Sequence, residues 1–144
     1  MPTSHNDPAY ECVWLIRRLF RAMATRADQY LAETGLSAAD RAVMEFLYES
    51  DPLSVPEIAR RYEVSRQHIQ VTVNALLEKG LLRTSDNPSH KRSRLIQLSS
   101  RGHDSFEEIR HNESAVIQEL FADISTKSLA TTKTTLASLL QQLQ

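Results

Sequence analysis

Arg66, Gln67, Gln70 and Asn74 fall within one short run, Arg66-QHIQVTVNAL-Leu77. At helical spacing these four side chains form a single polar stripe, with His68 and Val71 at its margins. Their shared chemistry is recognition of base edges. A carboxamide presents a donor and an acceptor that match adenine, and a guanidinium presents two donors that match guanine. Val71 offers an apolar surface that suits a thymine methyl. An exposed helix face is more often merely solvated, so the stripe acquires meaning only from the elements around it.

Those elements read as helix, turn, helix and wing. Ser54-Val-Pro-Glu57 fits a capping box: a hydroxyl at the cap, a carboxylate three residues on, and Pro in the first turn, where its missing N–H costs nothing. Val55, Ile58, Ala59 and Tyr62 then give a short helix an inward face. Val64 closes the turn, and Ser65 caps the next helix while standing at the proposed DNA surface. Ile69, Val73, Leu76 and Leu77 are its inward stripe. It runs to about Lys79 and stops at Gly80, which tolerates positive φ.

Leu82–Ser85 and Arg94–Leu98 follow as strand-like runs around the turn cluster Asp86-Asn-Pro-Ser89. Lys91, Arg92 and Arg94, beside His90, make the tip and returning strand basic. Cations on a hairpin next to a reading helix reach phosphates or the adjacent minor groove.

Composition supports this once it is divided. Residues 57–103 carry nine Lys and Arg against four Asp and Glu, a net +5, and the remainder is net −6, together the chain's −1. Positive charge is concentrated on the proposed reading region. At 144 residues one domain is the default, and three Gly with five Pro favour a mainly α fold with a small β-wing. One Cys excludes an intrachain disulfide framework and fits a reducing cytoplasm. The opening MPTSHNDPAY has no apolar leader segment, and no stretch is long enough to span a membrane.

Further helices are expected on both sides. One runs from about Pro8 to Thr34 and ends at Gly35. Another is capped by Ser37 and Asp40 and carries Val43, Met44, Phe46 and Leu47. After the wing, a long helix starts at Ser99 or Ser100 and runs to about Asp123, and a last helix carries Leu129, Leu136, Leu139, Leu140 and Leu143. A helix of roughly 25 residues is about 38 Å long, more than a winged-helix core needs. The apolar stripes of the first and last helices therefore call for a second copy. A two-fold dimer would set two reading helices about 34–36 Å apart, one turn of double-stranded DNA.

The chain resembles the MarR family of bacterial transcriptional regulators over nearly its whole length. The matching text is Gly35-Leu-Ser37, Leu53-SVPEI-Ala59, Val64-Ser-Arg-Gln67, Leu76-LEKGL-Leu82, and Asn87-Pro88 through Leu98-SSR-Gly102. The resemblance implies a homodimer that represses by occupying a pseudo-palindromic promoter site. It implies a small-molecule effector pocket and release of DNA by that molecule or by an oxidant. It also implies one domain over 1–144, with dimerisation helices at 8–34 and 100–144 and a winged helix-turn-helix at 36–99. Two departures stand out. The wing tip of the family commonly carries an acid that braces its Arg, and here the text is Ser89-His-Lys-Arg92. Val71 and Ala75 stand where further Arg residues are common.

Three smaller constellations have chemistry of their own. Cys12 lies where the peroxide-sensing branch of the family keeps a reactive thiol, although a structural role is the commoner one. Trp14, Arg17 and Phe46, at the meeting of the first two helices, would line an aromatic-ligand pocket, with core or interface packing as the plainer alternative. His103, Glu107 and His111 lie along one side of a helix, but i to i+8 spans about 12 Å, too far for one ion. A polar stripe is favoured there, and neither a metal nor a cofactor is expected. No Gly-rich phosphate loop or nucleophile elbow points to an enzyme. The alternative function is a winged-helix module that binds protein, against which the basic wing and polar helix face both argue.

Overall fold

A computed structural model of the chain describes residues 7–144. Residues 1–6, which carry most of the segment read as lacking a leader, lie outside the described residues. Two compact units are present, one through Glu107 and one from Glu108 to Gln144.

In the first unit, helix α1 spans Pro8–Leu31 and is capped by Asp7, whose Oδ1 accepts from the Ala9 amide at 2.9 Å. The sequence places its end at Thr34. The chain instead tightens into a 3-10 turn at Ala32–Thr34 before Gly35 turns it at φ 73°. Helix α2, Ala38–Leu47, opens on a reciprocal capping box between Ser37 and Asp40. Asp40 is buried, and its carboxylate also meets Lys79 Nζ at 3.4 Å, while that ammonium donates to the Gly35 carbonyl at 3.0 Å.

Strand β1 is only Leu53–Ser54, and helix α3, Val55–Tyr62, follows directly from the expected Ser54/Glu57 box. Glu63 closes α3 at φ 59°, and the Val64 amide donates back to Ala59 O at 3.1 Å. This left-handed residue makes the sharp turn into helix α4, Arg66–Glu78. Strands β2, Leu82–Ser85, and β3, Leu95–Leu98, form the wing. The sheet order is β1-β3-β2, antiparallel throughout, with Leu53 opposite Ile96 and Thr84 opposite Ile96 on the other side. Two residues show no alternation, so β1 left no trace in the pattern beyond its cap.

The core lies between these elements. Met44, Ile58, Ile69, Val73 and Leu76 are fully buried, with Val43, Leu31 and Phe106 beside them. Each such side chain contributes about 1.5–3 kcal/mol relative to exposure, so α4 is anchored by its inward stripe. Tyr62, counted with the inward face of α3, is instead 37% exposed and leans its ring on Phe46, centroids 5.2 Å apart.

Helix α5, Ser100–Leu120, begins against the wing. The Ser99 amide donates to Leu81 O at 3.0 Å. Its hydroxyl donates to Gly80 O at 2.7 Å and accepts from the Gly102 amide at 3.0 Å. In the second unit the end of α5 turns at Phe121–Ile124 into helix α6, Thr126–Leu143, capped by Ser125. The helix buries none of its residues. Along α1, Leu19, Phe20 and Met23 are likewise more than half exposed. No helix among the described residues is long and apolar enough to cross a membrane.

Candidate nucleic-acid interface

The candidate reading surface is built on the outer side of α4. The Ser65 hydroxyl accepts from the His68 amide at 3.1 Å and starts the helix. Burial of Ile69, Val73 and Leu76 then fixes which side faces outward. Arg66, Gln67, His68, Gln70, Val71 and Asn74 are all exposed, and Val71 is 64% exposed despite being apolar. Gln70 Nε2 donates to Asn74 Oδ1 at 2.9 Å, one turn further on. The first turn of α4 also presents the positive end of the helix dipole.

The wing hairpin brings cations alongside. Its tip is shaped by Asn87, whose Oδ1 accepts from the Ser89 amide at 3.1 Å, and by the Ser93 amide donating to His90 O at 3.2 Å. Lys91, Arg92 and Arg94 are exposed. A groove of about 530 Å³ separates α4 from the wing. Its walls include Arg66, Gln67 and Gln70 on one side and Arg92 and Arg94 on the other. Five of the expected DNA-facing residues thus share one groove. Ser65, His68, Val71, Asn74 and Lys91 lie outside it, still exposed on the same two elements.

The structure also supplies an acid in the wing that the tip sequence lacks. Asp86 Oδ1 lies 3.6 Å from Arg94 Nη1. The pairing of Ser85 with Leu95 makes Asp86 and Arg94 the next opposed residues, so the register, once known, explains the contact. The groove lining also includes Val55, which the sequence placed on the inward face of α3, and Pro56, marked only as part of its capping turn.

The expected aromatic pocket is not assembled as read. Phe46 packs on Tyr62 of α3. The recess beside Trp14 has Tyr10, Glu11, Trp14 and Leu15 as its described lining, without Arg17 or Phe46. The cation at the indole is Arg18, 4.5 Å from the ring centroid, one residue beyond the Arg17 singled out by sequence. Arg18 is the i+4 neighbour of Trp14, a spacing that would have identified it. Cys12 is exposed on α1.

On α5, His103 Nδ1 lies 3.9 Å from Glu107 Oε1, and Tyr48 donates to that same oxygen at 3.2 Å. The Tyr48 ring also stacks on His103 at 5.1 Å. Asp104 joins His103 and Glu107 within 4.8 Å, all three exposed, whereas His111 falls in the second unit. These contacts make a polar stripe tied to the end of α2.

A three-helix core with a helix-turn-helix at Val55–Glu78 and a two-stranded basic wing defines a winged helix-turn-helix protein. Residues 34–93, from the Gly35 turn into the wing, match the model of the MarR family. The uncharacterized protein Rv2011c of Mycobacterium tuberculosis is 28% identical over 137 residues, 94% of this chain and 89% of its own. Staphylococcus aureus MarR, solved with salicylate and kanamycin, shares the fold at a TM-score of 0.87 and 18% identity, over 94% of this chain and 91% of its own. S. aureus MepR, solved as a DNA complex, shares it at 0.79 and 20% identity, over 90% and 96%.

Proposed function

We propose that the chain is a homodimeric, sequence-specific DNA-binding regulator that represses by occupying a pseudo-palindromic promoter site. The observation that carries this reading is the groove in which Arg66, Gln67 and Gln70 of α4 face Arg92 and Arg94 of the wing. Amides and a guanidinium suited to base edges stand beside cations suited to phosphates, the division of labour that specific DNA binding requires. The DNA complex of MepR, a protein of the same fold, supports it. In this reading Ser65, His68, Val71, Asn74 and Lys91 extend the contact surface along the duplex, and the protein works in the cytoplasm. Residues 36–99 form the reading region, and 8–34 and 100–144 supply the dimer helices.

Electrophoretic mobility shift with the DNA flanking the gene tests the reading. A shift is expected that weakens steeply with salt, because phosphate contacts release counterions. Absence of any shift at low salt would refute it.

Dimerisation is expected from the apolar side chains left exposed on both terminal segments. Leu19 and Phe20 of α1 and Leu140 and Leu143 of α6 are each more than half exposed. A patch of this kind on a water-facing helix marks an association surface. Sedimentation at micromolar concentration should return twice the chain mass. A clean monomer there would remove the two-half-site arrangement.

Release is assigned to a small aromatic molecule rather than to oxidation. Salicylate is bound by S. aureus MarR. In this chain the recess beside Trp14 is lined by Tyr10, Glu11 and Leu15, and Arg18 lies over the indole, 4.5 Å from its centroid, aromatic and cationic groups suited to an aromatic carboxylate or phenol. Salicylate should weaken DNA binding equally in wild type and Cys12→Ser, with little effect of peroxide on either. A strong peroxide response that disappears in Cys12→Ser would make the thiol the sensor instead.

A further inference from the structure

Gln70 and Asn74 are both amides on the exposed face of α4, and sequence alone gives each an adenine of its own. The hydrogen bond from Gln70 Nε2 to Asn74 Oδ1, at 2.9 Å, changes that division. A primary amide has two N–H donors and one acceptor oxygen. Donating one hydrogen to Asn74 leaves Gln70 with one N–H and Oε1. That remaining pair is the set that adenine asks for, a donor toward N7 and an acceptor for the N6 amino group. Asn74 is in the opposite position. Its Oδ1 already accepts from Gln70, so only the second lone pair of that oxygen remains for a base. A tethered Gln also loses less rotamer freedom on meeting a base than a free one does.

We propose that Gln70 and Asn74 form one reading unit. Gln70 is the specificity-determining residue and selects a single adenine in each half-site. Asn74 is a positioning residue that holds the Gln70 amide in register. This rests on the DNA-binding reading above and specifies how that surface chooses its sequence.

The experiment is selection of bound duplexes from a pool of random 24-base-pair DNA. It uses wild type, Gln70→Ala, Asn74→Ala, the double variant and Asn74→Asp. Both positions are exposed, so the variants should melt with the wild type. Gln70→Ala and Asn74→Ala are expected to lose preference at the same base pair, by about tenfold or more, and the double variant by no more than either. Asn74→Asp keeps the acceptor and so should keep the adenine preference, while its charge lowers affinity for every sequence. In the selected duplex, 7-deazaadenine at that position should weaken wild type as Gln70→Ala does and leave Gln70→Ala unaffected. Relaxation at two different base pairs, or losses that add in the double variant, would overturn the unit. Failure of the wild type to bind any member of the pool would overturn the DNA reading itself, and the wild type alone distinguishes that case.

Discussion

Gly102→Ala is expected to lower the midpoint of thermal unfolding by roughly 10 °C, about 3 kcal/mol for a chain of this size. Gly102 sits in the first turns of α5, where Ala would ordinarily gain about 1 kcal/mol from helix propensity. Sterics decide the opposite sign. A Cβ there would lie 1.9 Å from the Leu81 carbonyl oxygen and 2.9 Å from its carbon. These are backbone atoms held by the Ser99 amide on the same carbonyl, so no side chain can swing aside. Gly35→Ala is the informative contrast. It has open space around it and should cost only the left-handed conformation, about 1–2 kcal/mol. Scanning calorimetry that finds Gly102→Ala within about 2 °C of wild type would show that α5 and the wing root slide past each other freely.

The second large effect is on DNA affinity. Replacing Arg92 and Arg94 together by Ala should weaken binding to every duplex sequence, by about 1.5–3 kcal/mol for each charged hydrogen bond that the phosphates no longer receive. The dependence of log affinity on log salt should become shallower by about two units per half-site. Base preference should survive, because the amides of α4 are untouched. The motive is that both guanidinium groups wall the groove opposite α4, where Arg94 also lies 3.6 Å from the exposed Asp86. Titrations at four salt concentrations would measure the slope. An unchanged slope would mean that the wing stands clear of the phosphates.

What could be read from the chain was whatever is decided within a few residues. Ser54 with Glu57, Ser37 with Asp40, and Ser65 each cap the helix they were expected to cap, because a cap is a contact over three positions. Gly80 adopts its left-handed stop for the same local reason. The exposed stripe of α4 followed from the spacing of its buried partners. Contacts that depend on distant register were not legible. β1 exists because Leu53 meets Ile96, more than forty residues away. Asp86 reaches Arg94 only once the hairpin is paired, and Phe46 chooses Tyr62 over Trp14 because α3 packs against α2 there. The 3-10 turn after Leu31 likewise had no signature that separates it from continued helix.

The Ser99 hydroxyl ties Gly80 to Gly102, so the wing root and the start of α5 would move together. The hairpin extends some five residues from that point, about 17 Å. A rotation of about 10° at that root would carry the tip through roughly 3 Å, as long as a whole hydrogen bond. Arg92 would then lose a phosphate that it had reached, with no change in its own surroundings and no molecule bound near it. Such gearing turns a displacement too small to disturb the core into one that a duplex cannot follow. On this geometry, a small turn at the start of α5 would reach a bound duplex through the wing tip.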